Sequence, residues 1–475
     1  MSDEDSAAKT ELHRSFVLRV VAAAAGMVST FLLTVIVVRT LDSKDTAAFF
    51  AVLAALSIGP LVGRLGLGPN VVRLIPSESD PGKKRAIAGA HLRSTIFLTL
   101  PTAPLIALAA TAGLIGHGDF LPAVALTTVI IVIETVRLML SDIFAAVGRV
   151  AASVATMHYI RSTMVLPVIG LVAITLESPS LVILLATYAV VAAIQLAVAL
   201  FAARHNVAFR GSTGIAGVRD AITSGTKLFS LELSSFLMMS GTIWLANAAF
   251  HPTMATHYSA AATIAMQVTI LESLAALAVT PPAARLWAAG KKDDVVRLLS
   301  NLATVNVTIT TLTVIALAVI GDLALQFAYG PLMRDANILL VILAASGIFQ
   351  AAFNVNISLL IIGGNVNEVS RTAVMVLAVT FPLTVAAAFL GGPVELAIVS
   401  SCGVAALSFC EWLTARKVFH RAPRAHRHVI RAVRELIADT TGTKPDVADN
   451  VAGSVGVQPQ HRSEQRVDSE PVLDD

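Results

Sequence analysis

The chain has 475 residues, of which 56% are hydrophobic and only 14% charged, and its mean hydropathy is +0.77; an ordinary soluble globular domain is excluded. The net charge of +3 excludes little, because it sums basic loops beside apolar stretches and an acidic C-terminus. Both cysteines, Cys402 and Cys410, lie in the last apolar stretch, where eight residues of helix hold them roughly 12 Å apart, so they do not pair with each other, and no His or Cys stands near them at metal-ligand spacing.

About twelve stretches are long enough to cross a bilayer. The first, Phe16 to Arg39, contains an apolar run too long for a cleavable signal and reads as a helix. Spans follow at Thr46–Leu67, Ile87–Ile115, Leu121–Val147, Ala152–Leu176 and Leu181–Ala203. After a polar connection come Leu228–Ala248, His257–Thr280, Leu298–Ile320, Ala336–Ile362, Thr372–Leu390 and Val394–Arg416. The expected fold is an all-α, polytopic membrane protein with two six-helix halves around a central cavity. Its segments are an N-terminus (1–15), a first half (16–203), a linker (204–226), a second half (227–419), a basic amphipathic juxtamembrane helix (420–439) and a disordered tail (440–475).

Loop charges set the orientation. Lys9, Arg14, Arg73, Lys83, Lys84, Arg85, Arg149, Arg204, Arg210, Arg219, Lys227, Arg285, Lys291, Lys292, Arg297, Arg371, Arg416, Lys417 and Arg421 fall on one side, against Arg39, Lys44 and Arg334 on the other. Both termini are therefore expected to be cytoplasmic.

A weak internal repeat supports two halves. LDSKDTAAF (Leu41–Phe49) leads to Arg73, Leu74 and Gly82-Lys83-Lys84; FHPTMATHY (Phe250–Tyr258) leads to Arg285, Leu286 and Gly290-Lys291-Lys292. Both halves keep one orientation, which places the pseudo-two-fold along the membrane normal.

Lone charges near mid-membrane cost roughly 2.5–3.5 kcal/mol each on insertion scales, so a chain that keeps several needs an interior for them and reads as a transporter. Arg19 and Arg64 sit roughly 5 Å from the cytoplasmic helix ends, Arg93 about 10 Å, and Arg137 and Arg161 roughly 15 Å. All are Arg, the planar fork suited to phosphate, and they form the candidate substrate-binding set. For Arg19 and Arg64 the alternative is snorkelling to the interface; for the other three it is a structural ion pair. Glu134, Asp142, Glu232 and Glu272 are the candidate ion-coupling residues, for a proton or a sodium ion, with Glu134 also placed to neutralise Arg137 at i, i+3. His158, Tyr159, Asn247, Asn306, Asn354 and Asn356 are candidates to touch sugar hydroxyls, or to hydrogen-bond between helices.

The run VVRTLDSKDTAAFFAVLAALSIGPLVGRLGLGPNVVRLIP (Val37–Pro76), with Phe49, Gly66 and Arg73, and THYSAAATIA (Thr256–Ala265), resemble the Wzx-type polysaccharide transporters of the multidrug, oligosaccharidyl-lipid and polysaccharide exporter superfamily. Ala47 and Thr256 stand where that family commonly has Gly. The resemblance implies a flippase in the bacterial inner membrane, moving a polyprenyl-phosphate- or diphosphate-linked saccharide outward by alternating access for surface polysaccharide synthesis. The partners it implies are that lipid-linked substrate and polysaccharide-assembly membrane proteins.

A drug or cation exporter of the same superfamily would more naturally carry carboxylates in the first helix, where this chain has Arg19; a non-transporting scaffold for envelope synthesis is the third reading. No G-x-x-x-x-G-K-[ST], H-E-x-x-H or G-x-S-x-G occurs, so neither an enzyme nor a cofactor is expected, and nucleic acid is not a partner. In the C-terminal segment Val429, Ile430, Val433, Leu436 and Ile437 alternate at helical spacing with Arg424, His426, Arg427, His428, Arg431 and Arg434, which suits an anionic inner leaflet or a docking partner.

Overall fold

The computed structural model describes residues 3–208, 226 and 229–441, and every regular element among them is a helix. The first half comprises α1 (Asp3–Thr40), α2 (Ser43–Arg64), α3 (Leu67–Ser77), α4 (Pro81–Ala110), α5 (Phe120–Ala146), α6 (Val150–Ala155), α7 (His158–Thr175) and α8 (Leu181–Ala203). The second comprises α9 (229–239), α10 (Gly241–Ala249), α11 (Pro252–Ala288), α12 (Lys292–Tyr329), α13 (Asn337–Phe353), α14 (Val355–Ile362), α15 (Val366–Leu390) and α16 (Pro393–Phe419); α17 (Val429–Thr441) follows it. Eleven helical stretches are long and apolar enough to cross a membrane, and the 37-residue α11, packed among α2, α12 and α13, completes a twelve-crossing bundle. The chain is a multi-pass membrane protein. Residues 209–225 of the polar linker and 442–475 of the tail lie outside the described residues.

Local chemistry sets the ends of these helices. Asp42 accepts from the Asp45 N–H at 2.8 Å to cap α2, and Asp80 accepts from the Gly82 N–H at 2.8 Å to cap α4, with Pro81 at the first helical position. The chain leaves α2 through Leu65 and Gly66, both left-handed at φ 38° and 80°, and turns into α3. The sequence pattern predicted one unbroken span over Ala152–Leu176. The structure instead breaks it at Thr156 and Met157, between α6 and α7.

Each half packs mainly on itself, through α4 on α5, α1 on α7 and α5 on α8 in the first, and α15 on α16, α12 on α13 and α13 on α16 in the second. Between them α2 is the wedge: Phe50, Ala51, Ala54 and Ile58 join Phe236, Ile243, Tyr258 and Ala261 in one shared apolar cluster. α1 lies so close to α7 that a Cβ on Gly26 would sit 2.5 Å from the Tyr159 carbonyl oxygen.

Polar contacts between the halves cluster at one end, opposite the basic loops. Arg39 Nε donates to the Ala328 carbonyl at 2.7 Å and its Nη2 to that of Phe327, closing on the last turn of α12. Thr34 and Tyr329 share a hydrogen bond at 2.9 Å, Trp244 Nε1 donates to the Ala51 carbonyl at 2.9 Å, and Thr256 donates to the Ser43 carbonyl at 2.5 Å.

The contact at Gly26 is with backbone, which cannot rotate aside. Gly26→Val is therefore expected to cost about 1–3 kcal/mol, read as a lower melting temperature of the purified protein. Gly113→Ala, whose Cβ meets nothing closer than 3.5 Å, is expected to leave it unchanged.

Candidate functional site

Between the halves lies a cavity of about 360 Å³, walled on one side by Thr30 of α1, Ser57 of α2 and Arg161 of α7, and on the other by Ser235 of α9 and Met266 and Gln267 of α11. The break between α6 and α7 brings Arg161 there, because it places His158, Tyr159 and Arg161 in the first turn of a new helix that opens on the cavity.

Arg137 holds that break. Its Nη1 donates to the carbonyls of Thr156 and Met157, at 3.0 and 3.1 Å, and its Nη2 meets Glu134 Oε2 at 2.5 Å. These are carbonyls that an uninterrupted helix would have satisfied itself. Arg137 and Glu134 are both fully buried.

The same Glu134 oxygen lies 3.7 Å from Arg161 Nη1, which also reaches the Leu56 carbonyl at 3.5 Å; Arg161 Nε has no partner. One carboxylate therefore serves two guanidinium groups, and the cluster carries a formal excess charge of +1 beside the cavity. Tyr188 of α8, buried with its hydroxyl unpartnered, lies within electrostatic reach of both Arg161 and Glu134.

The other predicted arginines go elsewhere. Arg64 Nη1 pairs with Asp142 Oδ2 at 2.6 Å, both about a quarter exposed, and its Nε donates to the Pro60 carbonyl at 3.2 Å. Glu232 lies within electrostatic reach of that pair, bringing an acidic group of the second half toward the first. Arg93 donates to the Ala208 carbonyl at 3.2 Å, at the start of the linker. Arg19, partly buried, has an unpartnered Nε and does not line the cavity. The five arginines therefore do not converge as one ladder: Arg161 faces the cavity, Arg137 supports it from behind, and Arg19, Arg64 and Arg93 lie apart from it.

Among the predicted carboxylates, Glu272 stands apart in the second half. It is 4% exposed, accepts from the Thr310 hydroxyl at 3.4 Å, and leaves Oε2 unpartnered. Of the predicted sugar-contacting groups, His158 and Tyr159 line the cavity. Asn247 instead bonds the Ile243 carbonyl, and Asn356 those of Phe353 and Pro423. Sequence reasoning missed Gln267, whose Oε1 is buried and unpartnered at the cavity wall, Tyr188, and Glu411 of α16, 1% exposed with Oε1 unpartnered. Isolated polar residues in apolar spans were the available signal, applied to asparagine and to other carboxylates but not to these.

No family model and no curated protein matches the chain. Solved structures do. A multidrug resistance MATE family transporter of the MOP superfamily in an inward-facing conformation aligns at TM-score 0.64 and 15% identity, covering 85% of this chain and 98% of that one. The lipid II flippase MurJ, in an inward closed conformation, aligns at 0.64 and 11% identity over 90% of this chain and 91% of its own. The Vibrio cholerae MATE transporter VcmN aligns at 0.62 and 13% identity over 87% and 98%. The class defined here is thus a polytopic membrane protein with the twelve-helix fold of MATE transporters and MurJ.

Removing one partner of a buried ion pair strands the other. Glu134→Gln is expected to lower stability by about 3–5 kcal/mol. The double variant Glu134→Leu with Arg137→Met is expected to cost less than the sum of Glu134→Leu and Arg137→Met alone, and thermal unfolding of these three variants and the unaltered protein in one detergent measures the coupling.

Proposed function

We propose that this protein is a transporter of the MATE/MurJ fold that works as a lipid flippase, carrying a polyprenyl-phosphate- or diphosphate-linked saccharide from the inner to the outer leaflet of a bacterial inner membrane. Both termini are cytoplasmic in this reading, following the basic loops. The product feeds cell-surface polysaccharide synthesis, where membrane proteins of polysaccharide assembly are the natural partners.

The observation that carries this reading is Arg161: a guanidinium on the wall of the cavity between the halves, with only a shared carboxylate to neutralise it and one N–H unused. A phosphate or diphosphate supplies the missing acceptors and charge. Ser57, Ser162, Ser235 and Gln267 offer hydroxyl and amide groups for sugar hydroxyls. Arg19, Arg64 and Arg93 would meet the anion on its way in, and Arg137 would keep Arg161 in place.

Transport by alternating access fits the one-ended closure. In this reading the Arg39 contacts with the end of α12 are the closure, a clamp on the side away from the basic loops. Moving the cargo outward requires that clamp to open. Glu272, buried without a cationic partner, is the best-placed of the four carboxylates for a coupling proton or sodium ion, with Glu134 and Asp142 paired to arginines and Glu232 within electrostatic reach of Arg64.

That same Glu272 favours a second reading, a cation-coupled drug exporter. Drug accumulation in a deletion strain, with surface polysaccharide intact, would select it.

Arg161→Gln should lower outward movement of lipid-linked saccharide in inverted membrane vesicles by roughly tenfold or more, the worth of a charge-assisted hydrogen bond, at unchanged expression. Unimpaired flipping in Arg161→Gln, with a strict requirement for the protein itself, would instead support a scaffold. For the clamp, Arg39→Ala is expected to raise labelling of a Thr30→Cys reporter by a membrane-impermeant thiol reagent added outside, in a background with Cys402 and Cys410 replaced by Ala. Two charge-assisted bonds to helix-end carbonyls correspond to an increase of roughly tenfold or more.

A further inference from the structure

The C-terminal segment has two chemically different faces, and the fold uses only one of them. Leaving α16 through His420 at φ 60°, the chain crosses the basic-loop end of α12. The Arg424 and His426 N–H groups donate to the hydroxyls of Ser300 and Thr304 at 3.3 and 2.9 Å, and Arg421 pairs with Asp293 at 2.7 Å. α17 then lies against α12 and α11: Ala432 is fully buried, Leu436 joins the apolar cluster of Leu298, Leu302 and Val279, and Asn301 donates to Glu435 at 2.8 Å. The inner face of this segment thus docks on its own chain.

The outer face has no protein against it among the described residues. Ile430 is 75% exposed and Val433 39%, and Arg427, Arg431 and Arg434 are exposed around them. Ile430 and Arg434 share one face at i, i+4, with Arg427 just before the helix on the same side. Arg431 reaches Glu435 at 2.6 Å and remains largely exposed. From Trp412 to Arg434 the sequence holds Arg416, Lys417, Arg421, Arg424, Arg427, Arg431 and Arg434 and no acidic residue.

We infer that this outer face seats in the headgroup region of the cytoplasmic leaflet and binds anionic phospholipid, with Ile430 and Val433 entering the acyl boundary and Arg427, Arg431 and Arg434 meeting lipid phosphates. Two observations choose a membrane over a protein partner. The free face mixes isolated apolar side chains with arginines, the composition of an interfacial helix. The inner face is bonded to residues eight to twelve places into α12, a helix of 38 residues, roughly 57 Å long and so far longer than a hydrocarbon core, which puts α17 beside the membrane surface rather than out in solvent. Because the inner face is pinned to α11 and α12, lipid composition is sensed at the ends of the helices whose other ends close the far side of the cavity.

The test uses the full chain in nanodiscs, with Ile430→Cys carrying an environment-sensitive fluorophore in the background lacking Cys402 and Cys410. With phosphatidylglycerol present, the emission should shift to the blue and be quenched by lipids spin-labelled just below the headgroup; in phosphatidylcholine alone, or at high salt, both effects should weaken. Arg427→Gln and Arg434→Gln should each lower the seated fraction about fivefold in the equilibrium constant. Val429→Cys, on the partly buried side, reports whether the helix stays docked in each variant. Water-like emission from position 430 in both lipids, or equal quenching in both and in the arginine variants, would overturn the inference, the first outcome leaving a soluble partner as the occupant.

Discussion

A charge taken out of water needs a partner, and in this fold Glu134 has to serve two. It binds Arg137 at 2.5 Å and stands 3.7 Å from Arg161, so the two guanidinium groups cannot both be neutralised by it. Arg137 makes up the difference with the carbonyls of Thr156 and Met157, and that choice fixes where α6 stops and α7 starts. The local geometry follows in sequence: a helix is broken, its second part begins at the cavity, and the less satisfied arginine is carried to the wall. A buried ion pair is weak evidence for stability. Here its consequence is architectural: the contacts of Arg137 hold the helix break and leave Arg161 sharing Glu134 at the cavity wall, with Nε unpartnered on both arginines.

The two ends of the bundle differ in kind. At the end opposite the basic loops, Arg39 binds carbonyls of the last turn of α12, where the helix dipole favours a cation; Tyr329 and Trp244 add hydrogen bonds between the halves, and Tyr329 packs its ring edge against Phe31. Toward the basic loops Arg64 and Asp142 pair directly at 2.6 Å within the first half, and Glu232 of the second half lies within electrostatic reach of that pair. Under the proposed function, closure at one end by a few polar contacts suits a two-state transporter, whose contacts must hold and also release.

The spans themselves were legible because length and apolarity decide them, and loop arginines sorted their ends. What the sequence hid was azimuth. Arg93 and Arg161 are both lone arginines in apolar helices, yet one turns to the linker and the other to the cavity. Depth can be counted at 1.5 Å per residue, but the direction a side chain faces is set by neighbours far along the chain. The break at Thr156 was invisible for the same reason, as no Gly or Pro marks it and its stabilising group comes from another helix. The C-terminal helix was expected from 420 and begins at Val429, because the amides of Arg424 and His426 are taken by hydroxyls of α12 instead of by a helical turn.

Buried charge is divided unevenly between the halves. Among the described residues the first half buries Arg137, Arg161 and Glu134, while the second buries Glu272 and Glu411 and no arginine or lysine. The cavity between the halves then has a guanidinium on its first-half wall, and the buried carboxylates of the second half, each with an unpartnered oxygen, lie outside its lining. Under the proposed function this division separates two tasks that would otherwise compete for one site. An anionic headgroup on the first half meets a cluster that stays net positive with Glu134 in it, and a coupling cation on the second half meets no buried arginine or lysine among the described residues. Keeping them in different halves lets each be bound on its own terms, and lets the relative motion of the halves couple one to the other without direct contact.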